Sequence, residues 1–332
     1  MKVFEACLTN YCNFKCSYCI SDSKRGSDKF SEPLKLDDSG NLLLHDKELS
    51  QEEVNKRAVI LQEQGQLALD EYVSNEHKAW VARSHLKHDY TDWLDFESLI
   101  KFVRSRLSDD WVITLTGGEP LYYPNIEYLI TELCKTNQVV VTTNASLIRS
   151  KTKLLEIDRN KLFFRVGFHP EFRNLKTFEE CMRFIIENKF KYVINYVAHP
   201  KYYENSSDLY QKHLNYLNEN GYLYEITAFE GRYNKETYPK PIMFRSEIEN
   251  TLFSEFDKFS LSRSVIGSSF IMSEPNGEIY ECHGKSKKLG DVYSNTLNLE
   301  RVIHKACFSV TGCNASKSAN TYLRLLFNDK LE

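Results

Sequence analysis

From Asp95 to about residue 228 the chain alternates short apolar runs with amphipathic stretches of ten or more residues, and this alternation restricts the fold more than any other feature. The pattern predicts strands at 111–116, 138–143, 163–168, 191–198 and 222–228. Helices at 95–107, 124–136, 177–188 and 207–219 and a helical patch near 149–158 each precede one of them. A further strand at 3–8 (Val-Phe-Glu-Ala-Cys-Leu) makes six. Strands separated by helices of this length run parallel, with right-handed crossovers. The expected fold class is α/β.

The strands carry a second regularity. Phe164, Val166 and Phe168 alternate with Arg165, Gly167 and His169, and Ile113 and Leu115 oppose Thr114 and Thr116. Glu5, Asn195, Glu225 and Thr227 are likewise polar positions inside apolar strands. Side chains alternate faces along a strand, so one face meets the helices and the other is expected to be polar. A buried polar face has to be hydrogen-bonded or filled by ligand. The expectation is a polar lumen that takes a polar cofactor and a polar substrate. Arg165 and His169 are the candidate catalytic residues there; the imidazole titrates near neutrality, although a turn-stabilising role suits it equally. Asn195 is a candidate cofactor contact.

Cys12-Asn-Phe-Lys-Cys16-Ser-Tyr-Cys19 places three thiols at spacings of four and three directly after the first strand. Thiolates are soft ligands that suit iron–sulfur clusters or zinc. Three ligands from one loop leave a tetrahedral site incomplete: either a distant residue closes it, or one metal stays open to substrate or cofactor. Far along the chain, Thr116-Gly117-Gly118-Glu119-Pro120 ends the strand at 111–116. Glycines there let the backbone approach a ligand closely or take positive φ.

The C-x3-C-x2-C spacing with Tyr18 before the third cysteine, together with the Gly-Gly-Glu-Pro segment, resembles the radical S-adenosylmethionine (radical SAM) superfamily over roughly residues 1–230. The resemblance implies a partial (β/α)6 barrel with its chemistry at the strands' carboxyl ends. It implies a 4Fe–4S cluster on Cys12, Cys16 and Cys19 whose fourth iron binds S-adenosylmethionine. One electron, from a low-potential donor such as a flavodoxin or ferredoxin, would break a carbon–sulfur bond and give a 5′-deoxyadenosyl radical that abstracts hydrogen from substrate. Tyr18 and Ile20 would lie against the adenine, and Gly117, Gly118 and Glu119 would contact the methionine amino group. Thr143-Asn144-Ala145-Ser146 resembles the family's "TNG" strand ending with alanine for glycine, which makes Asn144 and Ser146 candidates for ribose or carboxylate contacts.

Residues 24–92 read as a helical insertion: Ser50-Gln-Glu-Glu53 looks like a capping box, and Val54, Ala58, Leu61, Ala68 and Tyr72 follow at helical spacing. The tail, about 231–332, reads as a second unit. It has two strand runs from Ser269 to Cys282 around Glu274-Pro-Asn-Gly277, then Gly290 and a helical patch near 297–305. With Cys282, Cys307 and Cys313 it resembles the twitch or SPASM extensions of radical SAM enzymes. The resemblance implies an auxiliary iron–sulfur cluster on those three cysteines, with an open iron or a non-cysteine fourth ligand such as His283; a vestigial domain with reduced thiols is the alternative. Cys134 and Cys181, on predicted helix faces, are expected in the core, and Cys7 is expected to pack in the first strand.

Net charge of −3 over 332 residues gives no electrostatic footprint for nucleic acid. No apolar run reaches the ~18–20 residues a membrane helix needs. Nine cysteines without a signal-like amino terminus point to a reducing cytoplasm, where thiols serve metals more than disulfides. Three functions fit. The first is a radical SAM oxidoreductase acting on a small polar metabolite such as a sugar, nucleotide or amino acid derivative; the second is a radical SAM peptide-maturing enzyme; the third is a non-catalytic zinc protein.

Overall fold

The computed structural model describes residues 2–12, 93–170, 175–204, 208–229, most of 231–252, 270–281 and 287–299, with 35–36, 42–43 and 326 in addition. The strands are β1 (Lys2–Thr9), β2 (Lys35–Leu36), β3 (Leu42–Leu43), β4 (Trp111–Gly117), β5 (Gln138–Thr143), β6 (Leu162–Phe168), β7 (Lys191–Ala198) and β8 (Tyr224–Ala228). They continue with β9 (Gly231–Tyr233), β10 (Glu236–Tyr238), β11 (Phe270–Ser273), β12 (Glu278–Tyr280), β13 (Lys288–Asp291) and β14 (Thr296–Leu297). Among the described residues four α-helices, α1 (Phe96–Arg106), α2 (Ile126–Cys134), α3 (Leu175–Glu187) and α4 (Leu209–Glu219), lie between strands of the first set.

One sheet runs in the order β14-β13-β12-β11-β1-β4-β5-β6-β7-β8. From β1 to β8 every pairing is parallel, as strand–helix alternation requires. The tail joins on the other flank: β11 lies parallel to β1, with Val3 opposite Phe270 and Ala6 opposite Ser273. Beyond it β12, β13 and β14 add antiparallel strands. This is an α/β fold with a mostly parallel sheet.

The helix-facing parity is apolar. Phe4, Ala6 and Leu8 of β1, Ile113 and Leu115 of β4, and Phe164, Val166 and Phe168 of β6 are buried in one cluster. Leu99, Phe102 and Val103 of α1, Leu129, Ile130 and Leu133 of α2, and Phe178, Met182 and Ile185 of α3 fill the same cluster. Each of the larger side chains contributes about 1.5–3 kcal/mol by leaving water. The start of α1 is fixed by Asp95, whose Oδ2 accepts the Ser98 N–H at 2.7 Å. Cys134 and Cys181 are buried in this layer, and burial pushes the Cys134 thiol up to about 12.

The opposite face is polar over only part of its length, which corrects the expectation of a wholly polar lumen. Val3, Val112, Val140, Phe163 and Val193, all near the strands' amino ends, form a second apolar cluster with Phe270, Met272 and Leu326. Phe270 and Met272 continue the patch on β11, the neighbour of β1, and Leu326 packs with it; both segments are too distant in sequence for strand parity to reveal. The polar residues Glu5, Thr114, Arg165, Asn195, Glu225 and Thr227 lie further along the strands.

Two local expectations also change. The patch near 149–158 is two 3-10 segments, Ile148–Ser150 and Thr152–Glu156. Its buried residues Ile148, Leu154 and Ile157 recur at multiples of three, the 3-10 repeat. The patch near 297–305 starts later than expected: Thr296 and Leu297 pair with Asp291 and Gly290 as a strand, and helical backbone is entered only at Leu299. Gly290 permits that approach: a Cβ there would sit 2.0 Å from the Thr296 carbonyl oxygen. The expected helix in 24–92 and residues 300–305 lie outside the described residues; within 24–92 the structure describes an antiparallel pairing of β2 with β3.

Candidate active site

At the end of β1 the chain turns back over the end of β4. The Tyr11 N–H donates to Thr9 Oγ1 at 3.0 Å and starts the turn. The Gly118 N–H then donates to the Thr9 carbonyl, and the Glu119 N–H to the Tyr11 carbonyl, both at 2.7 Å. Both glycines are required. Gly117 has φ of +123°, and a Cβ on it would lie 2.3 Å from the Thr9 carbonyl oxygen. A Cβ on Gly118 would lie 1.8 Å from the Tyr11 carbonyl oxygen. The close approach that glycine allows here is made by the backbone leading into Cys12. The Tyr11 ring stacks on Trp93 at 5.0 Å, which braces the loop.

Glu119 is fully buried, and its carboxylate is a junction. Oε1 accepts the Leu121 N–H at 2.9 Å and the Thr143 hydroxyl at 2.5 Å, while Oε2 accepts the Asn144 N–H at 2.7 Å. Three donors of this kind are what a desolvated carboxylate needs. Thr143 Oγ1 in turn accepts the Ala145 N–H at 2.8 Å. Ala145 is buried with φ of +56°, so the alanine adopts a left-handed conformation that glycine takes without strain.

Asn144 closes the loop back to the cysteine. Its Oδ1 accepts the Ser146 N–H at 2.9 Å, which fixes the orientation of the amide. Its Nδ2 then lies 4.0 Å from Cys12 Sγ. Cys12 is half-buried at the carboxyl end of β1. A soft thiol at that position, beside an amide N–H, has the chemistry an iron–sulfur cluster ligand requires. The ends of β1, β4 and β5 thus meet at one point.

A second polar group crosses β6, β7 and β8. Arg165 donates from Nε to Glu225 Oε1 at 2.7 Å and from Nη2 to Asn195 Oδ1 at 3.2 Å. Thr227 Oγ1 donates to the same Asn195 oxygen at 2.6 Å. The Arg165 and Glu225 side chains are 12% and 10% exposed, so this is a sheltered ion pair. His169 folds back over Gly167: a Cβ there would meet His169 Nε2 at 2.3 Å. Since Gly167 lies opposite Asn195, the imidazole joins the face that carries Arg165.

Sequence reasoning passed over His199, which follows β7 as His169 follows β6, each before a proline. His199 is buried against Phe229 at 4.4 Å and Tyr233 at 4.9 Å, and burial lowers its pKa to about 4. The recurring His-Pro pair was the signal. Among the described residues no three metal-binding side chains gather at one point. Cys16, Tyr18, Cys19, Ile20, Cys282, His283, Cys307 and Cys313 lie outside the described residues.

No family model and no curated protein matches the sequence. Solved structures do. The chain resembles native anSMEcpe with bound AdoMet, with a TM-score of 0.52 and 16% identity over 90% of this chain and 81% of that one. It is also similar to Streptococcus suis SuiB bound to S-adenosylmethionine, with a TM-score of 0.46 and 14% identity over 63% of this chain. It spans 58% of SuiB's own length. The anSMEcpe likeness is one of fold: α/β with a mostly parallel sheet.

Proposed function

We propose that the chain is a radical SAM enzyme, built on a partial (β/α)6 barrel over about residues 1–230 with a twitch or SPASM-like extension over 231–332. The observation that carries this reading is the contact between the backbone leading into Cys12 and the Gly-Gly-Glu-Pro segment. The loop that begins the cysteine motif is hydrogen-bonded at Thr9 and Tyr11 to Gly118 and Glu119, the middle of the second motif. More than a hundred residues separate them in the chain, and their meeting at the strands' carboxyl ends is what a shared cofactor site needs. The AdoMet bound by anSMEcpe, a protein of similar fold, supports the same cofactor here.

In this reading Cys12, Cys16 and Cys19 hold a 4Fe–4S cluster, with Tyr18, Ile20, Gly117, Gly118, Glu119, Asn144, Ser146 and Asn195 around S-adenosylmethionine. When bound, the cluster supplies the electron that splits S-adenosylmethionine and so generates a hydrogen-abstracting radical. The chain's own contribution is position and shelter. Glu119 locks β4 to β5, and Arg165, Asn195, Glu225 and Thr227 offer a polar surface on which a small polar metabolite can be oriented, with His169 at its edge. The electron donor is a low-potential protein such as a flavodoxin or ferredoxin, and Cys282, Cys307 and Cys313 are assigned to an auxiliary cluster.

Anaerobic reconstitution tests the reading. The expected result is a brown protein with iron and sulfide in equal amounts that forms 5′-deoxyadenosine, an activity lost in Cys16→Ala. A colourless zinc protein that leaves S-adenosylmethionine intact would overturn it. Joint replacement of Cys282, Cys307 and Cys313 should lower iron per chain while sparing the first cluster; unchanged iron removes the auxiliary site. Deuterium transfer into 5′-deoxyadenosine from labelled sugars, nucleotides or amino acid derivatives identifies the substrate, and transfer from a peptide instead would replace the metabolite reading.

A further inference from the structure

We propose that Asn144 donates an N–H···S hydrogen bond to the Cys12 thiolate and thereby raises the reduction potential of the cluster, an inference that rests on the reading above. Asn144 is a positioning and tuning residue in this account, and the geometry that supports it is over-determined. The Asn144 backbone N–H is held by Glu119 Oε2 at 2.7 Å. Its Oδ1 is held by the Ser146 N–H at 2.9 Å. With the backbone and the amide oxygen both fixed, the amide nitrogen faces Cys12 Sγ at 4.0 Å.

The cysteine side is fixed through the same residue. Glu119 uses its backbone N–H to hold the Tyr11 carbonyl, one residue before Cys12, and its carboxylate to hold Asn144. Donor and acceptor therefore cannot drift apart without breaking a buried junction. The separation of 4.0 Å is at the outer reach of a sulfur hydrogen bond, and a thiolate, larger in charge than a thiol, draws the donor in.

The chemical consequence has a definite sign. Hydrogen bonds to cluster sulfur are among the determinants of potential. A donor N–H withdraws electron density from the thiolate and stabilises the more negative, reduced cluster. Asn144 is 5% exposed, and in such surroundings the interaction is stronger than in water. A neutral amide achieves this without adding a charge that would alter binding of a charged cofactor.

The test is a redox titration of the anaerobically reconstituted protein, without S-adenosylmethionine, followed by the electron paramagnetic resonance signal of the reduced cluster. Asn144→Asp keeps the acceptor for the Ser146 N–H and removes the amide donor; Asn144→Ser removes its reach. Both are expected to shift the midpoint to more negative potential, aspartate further than serine because it adds negative charge, with iron and sulfide per chain unchanged. Should the aspartate variant take up less iron, the serine variant decides alone. Midpoints equal to that of the unaltered protein overturn the proposal, including the case in which only affinity for S-adenosylmethionine falls. If the unaltered protein assembles no cluster, the radical SAM reading itself has failed; if it does and the midpoints stay put, only the role of Asn144 has.

Discussion

The carboxylate of Glu119 accepts the backbone N–H of Asn144 at 2.7 Å, and so a fully buried side chain clamps the end of β4 to the end of β5. Glu119→Ala strips an acceptor from Leu121 N–H, Thr143 Oγ1 and Asn144 N–H together. Each buried donor left unpaired costs about 1–3 kcal/mol, and partial rehydration should bring the sum to roughly 3–5 kcal/mol in denaturant unfolding. Glu119→Gln keeps the shape but turns an amide NH2 towards a donor, for a smaller loss of about 2 kcal/mol. A loss below about 1 kcal/mol for the alanine variant would mean that the clamp contributes little.

Gly118→Ala and Gly221→Ala separate two uses of glycine. At Gly118 the new methyl group meets the Tyr11 backbone, which cannot swing aside as a side chain tip could. The expected cost is about 2–3 kcal/mol, together with lower iron uptake as the Cys12 loop is displaced. Gly221 has φ of +65° and open space around the would-be Cβ, so only about 1 kcal/mol of backbone strain is expected, with iron uptake unchanged. Equal effects on both measurements would show that the loop is not seated on β4.

Arg165 and Glu225 form a sheltered pair, so single replacements should be harsher than the double one. Arg165→Met leaves a carboxylate without its cation and is expected to cost about 3–5 kcal/mol. Arg165→Met with Glu225→Gln should lose clearly less than the two single losses added together. A double-mutant cycle on unfolding free energies measures the coupling; strict additivity would dissolve the pair as an energetic unit.

Acid should weaken the fold through His199. Burial lowers its folded pKa to about 4, from an ordinary value of 6.5, so the unfolded chain binds more protons between those limits. The stabilisation is complete above pH 6.5 and drains away as pH falls to 4, by up to roughly 3 kcal/mol. His213, whose Nδ1 meets the Tyr196 hydroxyl at 2.9 Å, shifts in the same direction. Unfolding midpoints recorded across that range should fall steeply, and less steeply in His199→Asn. An identical slope in the variant would assign the acid loss elsewhere.

Much of the framework was readable from periodicity alone. Strand 138–143 matches β5 residue for residue, because Val139 and Val141 must face the helices while both ends are marked by polar residues. The hairpin around Glu274-Pro-Asn-Gly277 was legible from turn chemistry, and Gly277 indeed has φ of +85°. What periodicity could not show was pairing across long sequence separations. The apolar cluster that Phe270 and Met272 share with Val3 and Val112 is invisible to strand parity. At the site, the Gly-Gly pair pointed to close approach, but only the folded chain reveals Thr9 and Tyr11 as the groups approached. The three uses of the Glu119 carboxylate depend on where β5 ends in space, which no local pattern encodes.

The parallel seating of β11 on β1 has a consequence for biogenesis. The strand that delivers Cys12 leaves the ribosome well before one of its two neighbours, Phe270–Ser273, which is made only after some 260 further residues. Until then the flank of β1 opposite β4 is bare backbone, able to zip onto any extended peptide nearby. Metal loading at the Cys12 loop is therefore expected to await synthesis of β11, and truncations before residue 270 should yield clumping, iron-poor protein.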